Sequence, residues 1–245
     1  MKLYGLLGKQ TMQDYFHTPI FVLGLPRSGT SMIAGALGIC GAWTGSTVPG
    51  GGTENPKGFF EHTAIRERVI KKILRDLGCD PLGVRKLPQA DIRIEVIGLA
   101  DIIKGIIEKD GYRHDRPWLL KDAKLTLLWP VFRKAFPGAS WLVVRRDEEG
   151  FINSCLRTSF MKQHSQSRDF WKNYAEEYRV RIEALKQSGA DVLEINSPDV
   201  INGKLDQFRD IVSRLNLSFR ETELKDFISP GYWHGSSDAT SSVSI

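Results

Sequence analysis

A glycine-rich stretch between a strand-like and a helix-like segment carries the residues best suited to chemistry. The stretch GLPRSGTS, residues 24–31, follows the apolar run IFVL and precedes MIAGALGIC. A glycine-rich turn that opens a helix directs several backbone N–H groups and the positive end of the helix dipole at one point, which suits a phosphate-like anion. The alternative is that glycine, proline and serine form only a tight turn. A second motif is needed to support the anion site.

This loop departs from the Walker pattern of nucleoside triphosphatases. Gly24 and Gly29 have the Walker spacing, but Thr30 and Ser31 stand where that pattern has Lys and then Ser or Thr. The Walker lysine reaches the β- and γ-phosphates, whereas the positive charge in this loop belongs to Arg27. The loop therefore predicts a ligand with a shorter charged tail than ATP or GTP.

A second candidate anion site follows a later strand-like run. In VVRRDEEGFINSCLRT, Arg146 lies just past the run and Ser154 lies eight residues further on, about two turns into a helix that Asp147 or a neighbour begins. An arginine fork and a hydroxyl that converge from a strand end and the following helix can bind a second phosphate. The alternative is that Arg145 and Arg146 are solvated and that Ser154 lies on a helix surface.

Alternating strands and helices are expected to position these motifs. Four short apolar runs are typical of buried parallel strands: IFVLGL (20–25), WLLKD (118–122), SWLVVR (140–145) and DVLEI (191–195). Segments with helical periodicity cover residues 33–40, 65–77, 96–107, 171–185 and 205–215. This alternation predicts an α/β fold, with three α/β/α layers around a central parallel sheet like that of the P-loop NTPases. Such sheets bind ligands at the carboxyl ends of their strands.

Length and composition indicate a single folded unit. The chain has 245 residues, 41% of them hydrophobic and 26% charged, which favours one domain over residues 1–233 and a disordered polar tail at 234–245. No apolar run approaches the roughly 20 residues that cross a bilayer, and LYGLL is too short for the core of a signal peptide, so we expect a cytoplasmic protein without a membrane partner.

Charge and cysteine content narrow the classes of ligand. The formal net charge of +5 suits an anionic ligand, but basic and acidic residues are interspersed, which disfavours a nucleic-acid partner. Cys40, Cys79 and Cys155 are odd in number and lack the spacing of a disulfide framework or a zinc site. We therefore expect reduced cysteines and no metal.

Taken together, the two motifs resemble those of the sulfotransferases that use 3′-phosphoadenosine 5′-phosphosulfate (PAPS). GLPRSGTS is similar to that family's 5′-phosphosulfate loop. The span from Arg146 to Ser154 is similar to its 3′-phosphate motif, in which Arg and Ser stand eight residues apart. Glu148 departs from the Pro that many members have after Arg-Asp.

Two further stretches resemble signatures of the bacterial and viral-type branch of that family. ENPKGFFE (54–61) is similar to its Asn-Pro-Lys/Arg-Gly-aromatic-aromatic-Glu signature, and LLKDAKL (119–125) is similar to its Lys-Asp-Pro-Arg. In this chain Ala123 replaces the Pro and Lys124 replaces the Arg.

The resemblance implies a reaction and a set of donor-binding residues. A sulfuryl group would move in line from PAPS to an acceptor hydroxyl, leaving 3′-phosphoadenosine 5′-phosphate (PAP), and no metal would be needed; we expect a saccharide or another small molecule as acceptor. Positioning and electrostatics do most of the catalysis in the parallel case of phosphoryl transfer. The implied donor-binding groups are Arg27, the backbone amides of Ser28, Gly29, Thr30 and Ser31, and the 3′-phosphate ligands Arg146 and Ser154.

Glu61 and Lys121 complete the predicted catalytic set, with Arg27 stabilising charge on the phosphosulfate. Glu61 precedes an amphipathic helix, where a desolvated carboxylate could accept the hydroxyl proton; the alternatives are a mere interaction with the helix dipole, or the adjacent His62 as base. Lys121 ends a predicted strand and is expected to contact the sulfuryl group, with Asp122 orienting Arg27 or Lys121. The alternative for Lys121 and Asp122 is a structural ion pair.

Two groups of aromatic residues have more than one interpretation. Trp171, Tyr174 and Tyr178 share a helical face, which favours packing in the core or pocket wall over stacking on adenine. Phe59 and Phe60 are expected either to line the acceptor entrance or to anchor their loop.

Two other functions fit parts of the same pattern. A P-loop kinase or NTPase would need Mg²⁺ and a Walker lysine, whose position Thr30 occupies. A nucleotide-binding protein that keeps the PAP or PAPS site without catalysis would need only the two anion motifs.

Overall fold

The computed structural model describes residues 17–50 and 55–228. The predicted polar tail at 234–245 lies outside the described residues, as does Glu54 of the ENPKGFFE stretch. Within the described part, each helix is too short or too polar to cross a membrane.

The four apolar runs form one parallel sheet, as predicted. Its strands are β1 Ile20–Gly24, β2 Leu119–Lys121, β3 Ser140–Arg145 and β4 Asp191–Asn196. They lie in the order β2-β1-β3-β4. Backbone pairing aligns Val22 with Lys121 and Gly24 with Val144. Because the strands are parallel, their carboxyl ends meet at one edge of the sheet.

The described residues contain eleven α-helices and one π-helix. The α-helices are α1 Thr30–Ile39, α2 Thr63–Ile65, α3 Lys71–Asp76, α4 Leu99–Lys109, α5 Leu125–Ala135, α6 Glu148–Arg157, α7 Ser159–Lys162, α8 Arg168–Gln187, α9 Ser197–Ile201, α10 Asp206–Arg214 and α11 Glu221–Phe227. The π-helix Arg66–Ile70 joins α2 to α3. Every segment with helical periodicity forms a helix, and Asp147 caps α6 by accepting a hydrogen bond from the Gly150 N–H at 2.6 Å.

Helices cover both faces of the sheet. Alternate side chains of a strand point to opposite faces, so Phe21 and Val143 enter one hydrophobic cluster while Val22 and Leu142 enter another. The first cluster, the α8-side core, includes residues of α4, α5 and α8. The second, the α1-side core, includes residues of α1, α10 and α11. The predicted three-layer α/β/α arrangement is confirmed.

The aromatic face of α8 belongs to the core. Trp171, Tyr174 and Tyr178 are buried in the α8-side core. Phe151 of α6 packs across them, with its ring 6.2 Å from that of Tyr174. This packing fixes α6, and with it the residues that α6 carries, against the sheet.

Candidate active site

A cavity of about 300 Å³ lies at the carboxyl-end edge of the sheet. Its walls contain eight of the nine predicted site residues: Arg27, Gly29, Thr30, Ser31, Glu61, Lys121, Arg146 and Ser154. The ninth, Ser28, is fully buried, and its hydroxyl has no hydrogen-bond partner among the described residues. The fold thus brings both anion motifs and the two catalytic candidates to the edge where parallel sheets bind ligands.

The loop between β1 and α1 has an unusual backbone. Arg27 has φ 63° and Gly29 has φ 84°. A non-glycine residue in the left-handed region is uncommon and costs free energy, and such residues cluster at ligand sites. Gly24, at the end of β1, has no room for a side chain, because a Cβ there would lie 2.4 Å from the Val144 carbonyl oxygen. The close approach of β1 and β3 therefore requires glycine at position 24, the first residue of the GLPRSGTS motif.

Two buried hydroxyl groups form hydrogen bonds with the backbone of the loop. Thr126 Oγ1 lies 3.2 Å from the amide nitrogen of Gly24 and 3.3 Å from its carbonyl oxygen. Ser197 Oγ donates to the Ser28 carbonyl at 2.6 Å. Thr126 belongs to α5 and Ser197 begins α9, so two separate helices fix the shape of the loop through the protein's own hydrogen bonds.

The backbone N–H groups of the loop differ in whether they have a hydrogen-bond acceptor within the protein backbone. The Ser28 N–H donates to the Leu25 carbonyl at 3.3 Å and closes a turn. The first N–H groups of an α-helix have no acceptor within the helix. Thr30 and Ser31, which begin α1 and line the cavity, therefore direct their amides toward an external acceptor.

The guanidinium groups of Arg27 and Arg146 lie together in the cavity wall. Arg27 Nε donates to Ser154 Oγ at 3.3 Å, and Arg146 Nη1 donates to the Arg27 carbonyl at 2.9 Å. Burial lowers the pKa of Arg146. The nearby negative charge of Asp147 opposes this shift, whereas the positive charges of Arg27 and Arg157 add to it. A cluster whose cations destabilise one another gains most from a bound anion. The chemistry of this donor set fits a phosphate.

Lys121 connects the loop to Glu61. Its Nζ donates to Ser31 Oγ at 3.1 Å, to the Phe59 carbonyl at 3.0 Å and to Glu61 Oε1 at 2.9 Å. Its side chain is only 4% exposed. The ammonium group therefore sits between the first anion motif and the candidate base, where charge would develop in a group transfer.

Glu61 is surrounded by positive charge. Its Oε2 lies 2.9 Å from Arg66 Nε, and its Oε1 contacts Lys121. Burial raises the pKa of Glu61, but the charges of Lys121 and Lys124, the hydrogen bond from Lys121 and the charge of Arg66 outweigh it and lower that pKa to about 2. The carboxylate is ionised at neutral pH, and its basicity depends on how tightly these cations hold it.

Asp122 pairs with Lys124. Asp122 Oδ1 lies 2.8 Å from Lys124 Nζ and accepts the Lys124 backbone N–H at 2.9 Å. Burial lowers the pKa of Lys124, but the negative charges of Asp122 and Glu61 outweigh burial, and the net effect is a raised pKa. Asp122 therefore holds a structural ion pair at the end of β2, and the ammonium group that it fixes faces the cavity.

His62 faces away from the cavity. Its Nδ1 accepts the Ile65 N–H at 3.4 Å and caps α2, and its Nε2 lies 3.2 Å from Asp110 Oδ2. Asp110 also accepts hydrogen bonds from the backbone N–H and the hydroxyl of Ser46, each at 2.5 Å. Burial lowers the pKa of His62. Both ring nitrogens are engaged in fixing the segment that carries Glu61.

An aromatic pair lines the cavity on the α1 side. The rings of Phe60 and Phe227 meet edge to face at 6.1 Å. Lys57 Nζ contacts the Phe227 carbonyl and lies 4.8 Å from the centre of its ring. Gly35 of α1 makes room for the pair, since a Cβ there would lie 2.4 Å from the Phe227 ring and 2.7 Å from the Phe60 ring. Phe60 thus both lines the cavity and anchors its loop.

Sequence reasoning missed several cavity residues. Arg66 was not singled out, and only its place five residues after Glu61, near the start of a helix, could have suggested it. Leu82, Val84, Phe160 and Met161 also line the cavity, and no local pattern distinguishes them from other apolar residues. Within residues 17–50 and 55–228, His, Cys, Asp and Glu side chains form no group of three or more that could hold a metal ion.

Comparison with known proteins matches most of the chain to one family. The family model described as "Sulfotransferase family" matches residues 19–221. This span contains both anion motifs, Glu61 and Lys121. No curated protein matches the chain.

Solved structures share the fold at low sequence identity. The sulfotransferase domain of the olefin synthase from Synechococcus PCC 7002 is 15% identical, with a TM-score of 0.56 over 93% of this chain and 91% of that one. Sulfotransferase STF1 from Mycobacterium tuberculosis H37Rv is 16% identical, with a TM-score of 0.50 over 87% of this chain and 71% of that one. Sulfotransferase STF9 from Mycobacterium avium is 14% identical, with a TM-score of 0.50 over 87% and 68%. These similarities support the fold.

Proposed function

The chain belongs to the sulfotransferase family, and from that premise we propose that it transfers a sulfuryl group from PAPS to the hydroxyl group of an acceptor. The observation that carries this proposal is the position of Lys121, whose ammonium group contacts both Ser31 of the first anion motif and the candidate base Glu61. A cation at this junction supports a reaction in which a charged group passes between the two.

The donor is assigned to the two anion motifs. The amides at the start of α1, together with Arg27, would bind the 5′-phosphosulfate, as the helix dipole and the unpaired N–H groups favour. Arg146 and Ser154 would bind the 3′-phosphate, since the crowded guanidinium groups gain from a dianion. PAPS supplies an activated sulfuryl group, whose S–O bond to the 5′-phosphate breaks as a bond to the acceptor oxygen forms.

Lys121 would interact with both the sulfuryl donor and the base Glu61. At rest its Nζ donates to Glu61 Oε1 at 2.9 Å. Charge that builds on the oxygen leaving the sulfur would compete for the same ammonium group, because Lys121 also reaches Ser31 in the loop. Weaker pairing with Lys121 raises the pKa of Glu61, so the carboxylate becomes a better base as the transfer proceeds.

Glu61 is favoured over His62 as the base. Glu61 lines the cavity, whereas both nitrogens of His62 face Ile65 and Asp110. Arg66 Nε, 2.9 Å from Glu61 Oε2, would keep the carboxylate oriented while Lys121 turns to the donor.

The test is Glu61→Gln, which keeps the shape of the side chain and removes its basicity. We expect transfer of radiolabelled sulfuryl groups from PAPS to fall by about 10²- to 10⁴-fold, the usual contribution of a general base, while the affinity for PAP stays within a factor of about two. Full activity in this variant would remove Glu61 from the mechanism. The conservative variant Glu61→Asp, with a shortened but basic side chain, should retain part of the rate.

A further inference from the structure

The wall of the cavity on its α8 side is apolar, and this property indicates which chemical class of acceptor the site binds. Resting on the proposed function, we propose that the acceptor is a hydrophobic alcohol or phenol, whose apolar body packs against Leu82, Val84, Phe160 and Met161 while its hydroxyl reaches Glu61. The new S–O bond gives the sulfate ester of that alcohol, PAP leaves with the electrons of the broken S–O bond, and the hydroxyl proton passes to Glu61. Of the saccharide or other small molecule expected from the sequence, this class selects the second.

Two exposed apolar side chains belong to this wall. The large hydrophobic residues that are exposed in the described part of the chain are Leu82, Ile94, Ile97, Ile102, Phe160 and Val180. Two of them, Leu82 at 38% and Phe160 at 44% exposure, line the cavity, next to the buried Val84 and Met161 of the α8-side core. The α8-side core therefore continues outward to solvent at this wall of the cavity, which is typical of a site for an apolar ligand.

The turn that carries Leu82 and Val84 is fixed by a carboxylate. Asp80 accepts the backbone N–H groups of Leu82 at 2.9 Å, of Val84 at 3.0 Å and of Arg85 at 3.0 Å. These hydrogen bonds lower the pKa of Asp80 despite its burial, which raises it. The turn keeps its shape without a ligand.

Two more hydrogen bonds join that turn to the rest of the wall. The Tyr174 hydroxyl donates to the Gly83 carbonyl at 2.8 Å, which fixes the turn to α8. Arg85 Nη2 donates to the His164 carbonyl at 2.6 Å, just beyond α7, the helix that carries Phe160 and Met161. A preformed wall binds an apolar body without the cost of ordering loops.

The wall adjoins the candidate base. Gly83 lies against the stem of Lys124, since a Cβ on Gly83 would be 3.0 Å from Lys124 Cγ. The charge of Lys124 is in turn one of the largest influences on Glu61. A molecule seated on the wall therefore brings its hydroxyl toward Glu61, whereas the aromatic pair of Phe60 and Phe227 packs against the α1-side core. A saccharide on the wall would bury hydroxyl groups against side chains that offer no hydrogen bond.

The test measures transfer from radiolabelled PAPS by the full chain to 1-alkanols from ethanol to octanol, to 4-ethylphenol, and to glucose and N-acetylglucosamine. The kcat/KM for alkanols is expected to rise about fourfold for each methylene that the wall buries and to exceed that for either sugar. Phe160→Ala and Leu82→Ala should each lower kcat/KM for octanol by about tenfold and leave the affinity for PAP unchanged. The matched control is Val180→Ala, an exposed apolar residue on α8 outside the cavity, which should change neither.

Three results would overturn this inference. The sugars could be the better acceptors, Val180→Ala could lower octanol turnover as much as Phe160→Ala does, or Phe160→Ala could weaken PAP binding with octanol kinetics unchanged, which would assign the wall to the nucleotide. All three leave the sulfuryl transfer itself standing. A wild-type chain that does not bind PAP would instead refute the proposed function, and this inference with it.

Discussion

Replacement of Arg146 with alanine isolates the proposed 3′-phosphate site. Arg146 is half-buried beside Arg27 and Ser154, and burial together with neighbouring guanidinium groups lowers its pKa. Loss of one charge-assisted hydrogen bond costs about 1.5–3 kcal/mol, which predicts about 10- to 150-fold weaker binding of PAP. Adenosine 5′-phosphosulfate lacks the 3′-phosphate, so its affinity should hardly change.

Isothermal titration of both nucleotides against wild type and Arg146→Ala measures this difference. Arg146 also donates to the Arg27 carbonyl, so a mere change in loop shape would weaken both nucleotides equally, and that result would refute the assignment. Arg145→Ala is the matched control, because it removes the same charge from the adjacent residue. The Arg145 guanidinium instead pairs with Glu183 at 3.0 Å and Glu194 at 2.5 Å, so an equal loss of PAP affinity in this variant would also contradict the reasoning.

The other predictions concern the charge around Glu61 and the fit of the loop. Lys121→Met removes the cation that lowers the pKa of Glu61 most and should raise that pKa from about 2 toward its ordinary 4.5. The acid limb of the pH–turnover profile then moves to higher pH; an unmoved limb would count against the contact. Because the folded pKa of Glu61 is depressed, its ionised form contributes stability above about pH 4.5 that is lost as the pH falls toward 2, so thermal unfolding over this range should depend less on pH in Glu61→Gln than in wild type. Gly24→Ala forces a Cβ to 2.4 Å from the Val144 carbonyl oxygen and should lower the free energy of unfolding in urea by about 1–3 kcal/mol. Gly105→Ala, in α4 with no atom within 4 Å of the added Cβ, should raise it by about 0.5–1 kcal/mol; similar effects at both glycines would be inconsistent with the packing at β1.

The sheet and the longer helices could be predicted because their patterns are local. SWLVVR forms β3 over its full predicted length, and DVLEI forms β4 with one further residue. The central strand β3 is buried on both faces, which gives a continuous apolar run, whereas β4 lies at the sheet edge and alternates between more and less buried residues. The periodicity of residues 171–185 predicts α8, since one of its faces is buried and the other is in solvent.

Helix α5 could not be predicted from its pattern. Its sequence LTLLWPVFRKA is apolar around most of the first two turns and contains Pro130, a residue that normally argues against a helix. Leu125, Leu128 and Phe132 have helical spacing and are all buried, so packing of this face stabilises a helix whose pattern the neighbouring apolar residues and Pro130 obscure. Helices α7 and α9, with four and five residues, are too short to show a period.

The sequence was sufficient to predict the motifs of the candidate site, but not the contacts between residues that are distant in the chain. The loop at 24–31 and the pair Arg146 and Ser154 have recognisable spacing, and the family membership that they indicated is confirmed; the bacterial and viral-type branch stays a prediction. The contact of Lys121 with Glu61 joins residues 60 positions apart, and only the fold brings them together. At the end of β2, Asp122 pairs with Lys124, not with the expected Arg27 or Lys121, whereas Lys121 contacts Glu61.

Binding of PAP tests the central claim that the loop at 24–31 accepts a phosphosulfate nucleotide in place of a nucleoside triphosphate. Isothermal titration of the full chain with PAP, in the presence of EDTA, would be compared with ATP and Mg²⁺. The account predicts tight, metal-independent binding of PAP and weak binding of ATP, because Thr30 occupies the Walker lysine position and Arg27, Arg146 and Ser154 adjoin one another. Preference for ATP with Mg²⁺ would contradict the account and assign the loop to a kinase or NTPase.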